Sequence, residues 1–225
     1  MPDLLYRAEI EEYIANGFRQ PLERQRRELA GMSLEKAAEQ PESYWEKHKW
    51  ELAAIALLLL RRPWDDGNTY LAGSIGHIAK PKERDADYLK WAAPYAKKLA
   101  GHLTDTTQTI VAAILGKREA GEQLTPEERS LDAISSAERL ERIAATETTG
   151  AAARGEFSAA KAFNQEQLRK GYHGLLVAYW NTEDDGRVCP ICRPLDGTPY
   201  LVWSSRFKYG PPAHVMCRCW LNWRA

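Results

Sequence analysis

Four cysteines and one histidine carry most of the chemistry that can be read from this chain. Cys189-Pro190-Ile191-Cys192 is a C-x2-C knuckle, and His214-Val215-Met216-Cys217-Arg218-Cys219 follows roughly twenty residues later. A tight turn of that spacing lets two thiolates meet one tetrahedral ion at about 2.3 Å. Cys189, Cys192, His214, Cys217 and Cys219 are therefore five candidates for four metal positions. Cys217 and Cys219 would point to the same face of a strand, so both could reach the ion, or one could sit behind it. A site of four thiolates, with His214 orienting a neighbour, is the other arrangement, and spacing does not choose between them. Two short clusters separated by a hairpin-length segment have the layout of a zinc ribbon or knuckle. Enough thiolates are present to close the shell, so the expected zinc is structural rather than catalytic.

All four cysteines lie in the last forty or so residues, a poor arrangement for stapling 225 residues with disulfides. A Cys192–Cys217 disulfide and plain buried thiols are the competing readings. Asp196-Gly197 in the intervening segment predicts a turn, and Gly210-Pro211-Pro212 a rigid approach to His214. Trp180, Tyr200, Trp203, Phe207, Trp220 and Trp223 are expected to form a small core around the ion.

The elements that must position these residues are mainly helices. Apolar residues among charges predict helix up to about Arg62, with Leu4, Leu5, Tyr13, Ile14 and Phe18 early and Leu52, Ile55, Leu58 and Leu59 late. Pro63 with Asp65-Asp66-Gly67-Asn68 predicts a turn or linker, and Lys80-Pro81-Lys82 a second loop. Helix is expected again from Tyr88, interrupted at Pro94. Thr104 or Asp105 is the expected cap of a helix ending near Gly121. Thr125-Pro126-Glu127-Glu128 is a capping-box start for a helix to about Thr148. A further helix is expected over 151–170. Leu175–Trp180, Thr198–Trp203 and Cys219–Trp223 read as short strands, with a turn at Asp184-Asp185-Gly186. The fold class is thus α+β, a mainly helical body followed by a small zinc-stabilised β module.

Charge and composition exclude some classes. Equal numbers of acidic and basic residues give a formal net charge of zero, which removes any global attraction to DNA or an acidic membrane. The N-terminus lacks the pattern of a signal peptide, and Leu52–Leu60 is far short of the roughly 20 apolar residues of a membrane helix. The expectation is a soluble protein with no membrane partner, made inside a cell.

Read together, these motifs resemble those of the phage Mu protein F-like minor head proteins. The resemblance runs through Arg142-Ile143-Ala144-Ala145-Thr146-Glu147-Thr148 and Trp180-Asn181-Thr182-Glu183-Asp184-Asp185-Gly186. It continues in Arg187-Val188-Cys189-Pro190-Ile191-Cys192, Leu195-Asp196-Gly197 and Pro211-Pro212-Ala213-His214-Val215-Met216-Cys217-Arg218-Cys219. It covers roughly Leu103 to Trp223, about half the chain, and its last motifs are the specific ones. Gly186 before Arg187 is a minor departure from the pattern. The resemblance implies a head morphogenesis domain over 81–225; the N-terminal helical region over 1–80, read from its patterning, carries nothing that belongs to the family. Within the domain, helices run to about 171 and the β/zinc module spans 172–225.

The resemblance further implies a minor structural protein of a tailed-phage or prophage head, not an enzyme. It would be found in the virion head, and in host cytoplasm during assembly. Portal, capsid or scaffold proteins are the implied partners, with packaged DNA as a further candidate. Glu147 pairing with Arg187 or Arg218 would dock the helical body against the module. Two alternatives compete. A zinc-supported nuclease would need a second histidine or asparagine beside His214, and His173 lies upstream of the module. A DNA-binding zinc module would use the late cations Arg187, Arg193, Arg206, Lys208, Arg218 and Arg224.

Overall fold

A computed structural model describes residues 7–77, 80–183 and 188–225. Leu4, Leu5, Arg187 and the turn expected at Asp184-Asp185-Gly186 lie outside the described residues. The long helices are α1 (Arg7–Ala30), α3 (Glu42–Leu59), α4 (Arg61–Ile75), α5 (Pro81–Glu119) and α7 (Ala137–Arg169). Short helical pieces are α2 (Leu34–Ala38), α6 (Pro126–Arg129) and α8 (Tyr200–Trp203). Strands β1 (Val177–Asn181) and β2 (Trp220–Arg224) pair antiparallel, with Ala178 opposite Trp223 and Trp180 opposite Leu221. The protein is mainly helical with a two-stranded C-terminal sheet, as its patterning predicts in outline.

The chain divides into two compact units. The first gathers residues up to Glu11, Leu60–Lys90 and Arg142–Ala225; the second gathers Glu12–Leu59 and Trp91–Glu141. In the second, Leu29, Trp45, Val111, Ile114, Leu131 and Ile134 form a buried apolar cluster. Arg26 ties α1 to Asp132 at 3.1 Å, and Arg139 donates to the carbonyls of Leu103 and Ile134 at 2.7 and 2.8 Å.

Several expectations fail in the first unit for one shared reason. The segment 63–68, expected as a linker, lies inside α4. Pro63 falls in its first turn, where a missing N–H costs little. Gly67 is small because α7 crosses there: a Cβ would fall onto the Ala152 carbonyl, and one at Gly155 onto the Trp64 carbonyl. Buried Asn68 donates to the Gly155 carbonyl at 3.2 Å. Asp65 pairs with Arg61 at 2.6 Å. Turn-like residues here serve a backbone-to-backbone helix crossing. Similarly, α7 runs unbroken through Gly150, where two helices were expected, and Gly150 packs on Pro212.

Other corrections are local. Pro94 does not interrupt α5, because it lies on an exposed face where water can satisfy the carbonyl it leaves unbonded. Thr104 and Asp105 lie inside α5 rather than capping a helix. The expected strand over Thr198–Trp203 is instead the helical turn α8, and only Pro199 bridges to Tyr179. The Thr125 capping box forms as expected, but the helix it opens ends at Arg129 instead of running to about Thr148, and α7 starts anew at Ala137. The Glu128 N–H donates to Thr125 Oγ1 at 3.2 Å and the Thr125 N–H to Glu128 at 2.9 Å.

Candidate metal centre

The C-x2-C knuckle folds on itself first. The Cys192 N–H donates to Cys189 Sγ at 3.3 Å and the Arg193 N–H to the Cys189 carbonyl at 3.0 Å. Asp196 then ends the following turn by accepting from the N–H and hydroxyl of Thr182, at 2.7 and 3.0 Å. This returns the chain to β1, where the Trp180 N–H donates to Thr198 O at 2.9 Å and the Gly197 N–H to Trp180 O at 2.7 Å. Asp196 is thus used in turn chemistry.

The second cluster arrives through the cis Pro211–Pro212 bond. The Cys217 N–H donates to His214 O at 3.2 Å, closing a turn whose third residue, Met216, has φ of 60°. Cys219 leads directly into β2. Trp180, Trp203, Cys192, Cys217, Cys219 and Leu221 form one buried cluster, with Tyr200, Phe207 and Trp223 packed against it. Of the six aromatic residues expected around the site, all but Trp220 form this core or pack against it.

The five candidate side chains converge. Cys189, Cys192 and His214 form one group with all ligand atoms within 4.8 Å, and Cys192, Cys217 and Cys219 form another. His214 Nε2 lies 3.0 Å from Cys189 Sγ and 3.3 Å from Cys192 Sγ, and Cys192 Sγ is 3.9 Å from Cys217 Sγ. His214 Nδ1 is 2.8 Å from Val215 O, an atom that only accepts, so Nδ1 carries a proton and Nε2 is the nitrogen that faces the sulfurs. Two thiolates on one tetrahedral ion lie about 3.8 Å apart, close to the Cys192–Cys217 separation. This donor set fits a soft or borderline cation such as zinc. All four cysteines are free thiols. Among the described residues His173 belongs to no such group.

The electrostatics agree with a cation-ready site. Burial opposes the Cys189 thiolate, but the N–H groups of Cys192 and Ile191 and the nearby imidazole outweigh it and lower its pKa. The Cys217 thiol is lowered mainly by a hydrogen bond from Cys219. Cys219 is raised by the same bond and by burial, and Cys192 by burial and the Cys217 charge. Burial works against the His214 imidazolium, yet Val215 O and the Cys217 and Cys189 charges raise its pKa. The site favours negative charge at Cys217, while Cys192 and Cys219 hold protons that a metal ion would displace.

Helix α7 carries the module on one face. The Thr149 hydroxyl donates to Cys217 O at 2.9 Å and accepts from the Arg7 guanidinium at 3.0 Å. Thr146 Oγ1 accepts from the Met216 N–H at 3.0 Å. Further along, Glu156 accepts from the Trp223 indole N–H at 2.7 Å, and Phe157 meets Trp223 edge-on at 5.0 Å. Thr146, Thr149, Gly150, Ala153 and Phe157 follow the i, i+3, i+4 rule of a single face. Sequence reasoning passed over Thr149, Gly150 and Glu156; the Thr-x-x-Thr-Gly spacing was the available signal. Glu147 is buried on the same helix, whereas Arg218 is exposed.

A family model described as "Phage Mu protein F like protein" matches residues 104–222 of this chain, a span that contains α7, β1, the start of β2 and all five candidate ligands. None of the curated proteins and none of the solved structures is matched.

Proposed function

Because the chain belongs to the phage Mu protein F-like family, a family of head morphogenesis proteins, we propose that it is a minor structural protein of a tailed-phage or prophage head. In this reading it works in head assembly and in DNA packaging or delivery near the portal, with portal, capsid or scaffold proteins as partners. It resides in the virion head after assembly in host cytoplasm. Its role is structural rather than enzymatic, in keeping with a family not known for enzymes. No helix among the described residues is long and apolar enough to cross a membrane. The family domain begins at about residue 81, and residues 1–80 form its N-terminal helical region.

The observation that carries the reading is the convergence of five soft ligands inside the family-matched span, on a module seated on α7. Four of Cys189, Cys192, His214, Cys217 and Cys219 hold a structural zinc ion that fixes the module. Glu147 contributes to the same seat through a charge pair with Arg187 or Arg218. The test compares purified procapsids with mature particles for the protein's location and measures metal in chain purified without chelator. One zinc per chain and enrichment at the portal vertex are expected. Metal-free protein, or absence from procapsids, would remove the reading. If Glu147→Ala leaves folding and head incorporation unchanged, the charge pair is dropped.

A specific observation also favours contact with packaged DNA. Arg206, Lys208 and Arg224 enter no ion pair among the described residues. Instead each lies over a ring: Arg206 on Phe207 at 5.2 Å, Lys208 on Tyr209 at 5.3 Å and Arg224 on Tyr179 at 4.4 Å. Arg154 shares the Tyr209 ring at 4.3 Å. Cations left available beside aromatic faces suit a polyanion without sequence preference. Binding to duplex DNA should weaken steeply with salt and fall in Arg206→Glu/Lys208→Glu. No binding at low salt would exclude this contact.

A further inference from the structure

Five donors for four positions call for an account of the fifth. We propose that Cys219 is a reserve ligand, held beside a primary set of Cys189, Cys192, His214 and Cys217, that takes the place of His214 when the imidazole leaves the metal. The inference rests on the metal reading above and deepens it.

The two groups of donors overlap only at Cys192. From there one run of contacts leads outward to His214 and Cys189, at 3.3 and 3.0 Å, and one leads inward to Cys217 at 3.9 Å. Cys192 and Cys217 already have about the separation that two thiolates on one tetrahedral ion require. Cys192 is therefore the pivot, and Cys217 the inner ligand that either set would use.

His214 and Cys219 differ in how they are held. His214 is half-buried in an open cleft, beside Thr182, Glu183 and Met216, and Cys219 lines the same cleft. His214 Nδ1 bonds to the carbonyl of the next residue in its own turn. Cys219 is 5% exposed and precedes Trp220, which pairs with Asn181 in the sheet. Its sulfur lies within 4.8 Å of both Cys192 and Cys217. Cys217 and Cys219 are both buried while Arg218 between them is exposed, so both thiols point inward. In this proposal the Cys219 side chain turns from its partner Cys217 to supply the fourth thiolate, within reach of the shared ligand Cys192. A soft thiolate is an apt replacement for imidazole on a zinc-like cation.

The test loads the full chain and its variants with cobalt(II) chloride and reads thiolate-to-cobalt charge-transfer absorption, which grows with the number of bound thiolates, alongside metal stoichiometry. Wild type should bind one equivalent through three thiolates. His214→Ala should keep that equivalent, with absorption per cobalt rising by about one third as a fourth thiolate enters. Cys219→Ser alone should leave the wild-type spectrum unchanged, and His214→Ala/Cys219→Ser should lose the metal. Loss of metal in His214→Ala with the far-UV circular dichroism of wild type, or binding with unchanged intensity, would overturn the proposal. So would a fall in intensity in Cys219→Ser, a variant that decides the question even where His214→Ala does not fold. Wild type that binds no cobalt and no zinc would instead remove the metal reading itself.

Discussion

The helical core of the second unit and the C-terminal module solve the same problem with different means. In the second unit, Leu29, Val111 and Ile114 are apolar side chains on helices whose backbones bond to themselves, joined by Leu131 and Ile134 from the turn before α7. Burial of such surface, at about 25 cal/mol per Å², is enough to account for that core. The module has only two five-residue strands, and three of its buried core members are cysteines. A two-stranded sheet is marginal by itself. The lesson is that the module's thiols are part of its packing, and their chemistry decides whether the packing holds.

The largest expected effect follows directly. Structural zinc contributes about 10–16 kcal/mol of apparent binding free energy in small metal-folded modules. Chelation, or Cys192→Ser, should therefore abolish amide-exchange protection in 177–181 and 220–224. Protection around Val111 and Ile114 in α5 should change far less. Equal loss in both regions would break the contrast drawn here.

Next comes the crossing of α4 and α7, which brings backbone against backbone at two glycines. Gly155→Ala drives a methyl group into the Trp64 carbonyl, and backbone cannot swing aside as a side chain can. Destabilisation of about 3 kcal/mol or more is expected in denaturant titrations. Gly116→Ala in α5, where an added Cβ meets nothing within 4 Å, should be neutral or slightly stabilising.

The two units should also respond to pH with opposite sign. Burial raises the Glu156 carboxyl to about 8, against the Trp223 hydrogen bond that favours its charged form. The folded state then binds a proton that the unfolded chain releases near 4.5. Stability is full below that value and declines as pH rises toward 8, each unit of difference being worth about 1.4 kcal/mol. Burial lowers the His48 imidazole in spite of Glu28 at 3.1 Å and Glu51 at 3.7 Å. Its contribution is full above about 6.5, the ordinary histidine value, and is lost as pH falls. Glu156→Gln should flatten the alkaline decline and leave the acid side unchanged, measured by urea unfolding across pH 5–8.

How much of this was legible in the sequence depends on how local each feature is. The knuckle, the His-x2-Cys-x-Cys cluster, the Thr125 cap and the aromatic core depend on near neighbours, and all can be read. The α4–α7 crossing cannot, because Gly67 and Gly155 acquire their meaning only when distant backbones meet. Pro63, Asp65, Gly67 and Asn68 satisfy every local rule for a turn, yet an ion pair and a helix crossing overrule them. Thr198–Trp203 fails for a related reason. β-rich composition favours any half-buried surface, and here the Trp203 indole N–H reaches Thr198 O at 3.1 Å across a helical turn.

The smallest prediction concerns the most legible element. The Thr125 cap satisfies the Glu128 N–H and in return Glu128 holds the Thr125 N–H, while Lys117 pairs with the Glu128 carboxylate at 2.6 Å. Thr125→Ala removes one arm of the box and should cost about 1 kcal/mol. Helix α6 has only four residues and none of them is buried, so there is little packing behind the cap to amplify its loss. Amides 126–130 should exchange faster, with the sheet and the metal content unaffected. A loss of several kcal/mol would mean that α6 supports the Leu131–Ile134 turn of the second unit's core, and would shift weight from that core's side chains to its loops.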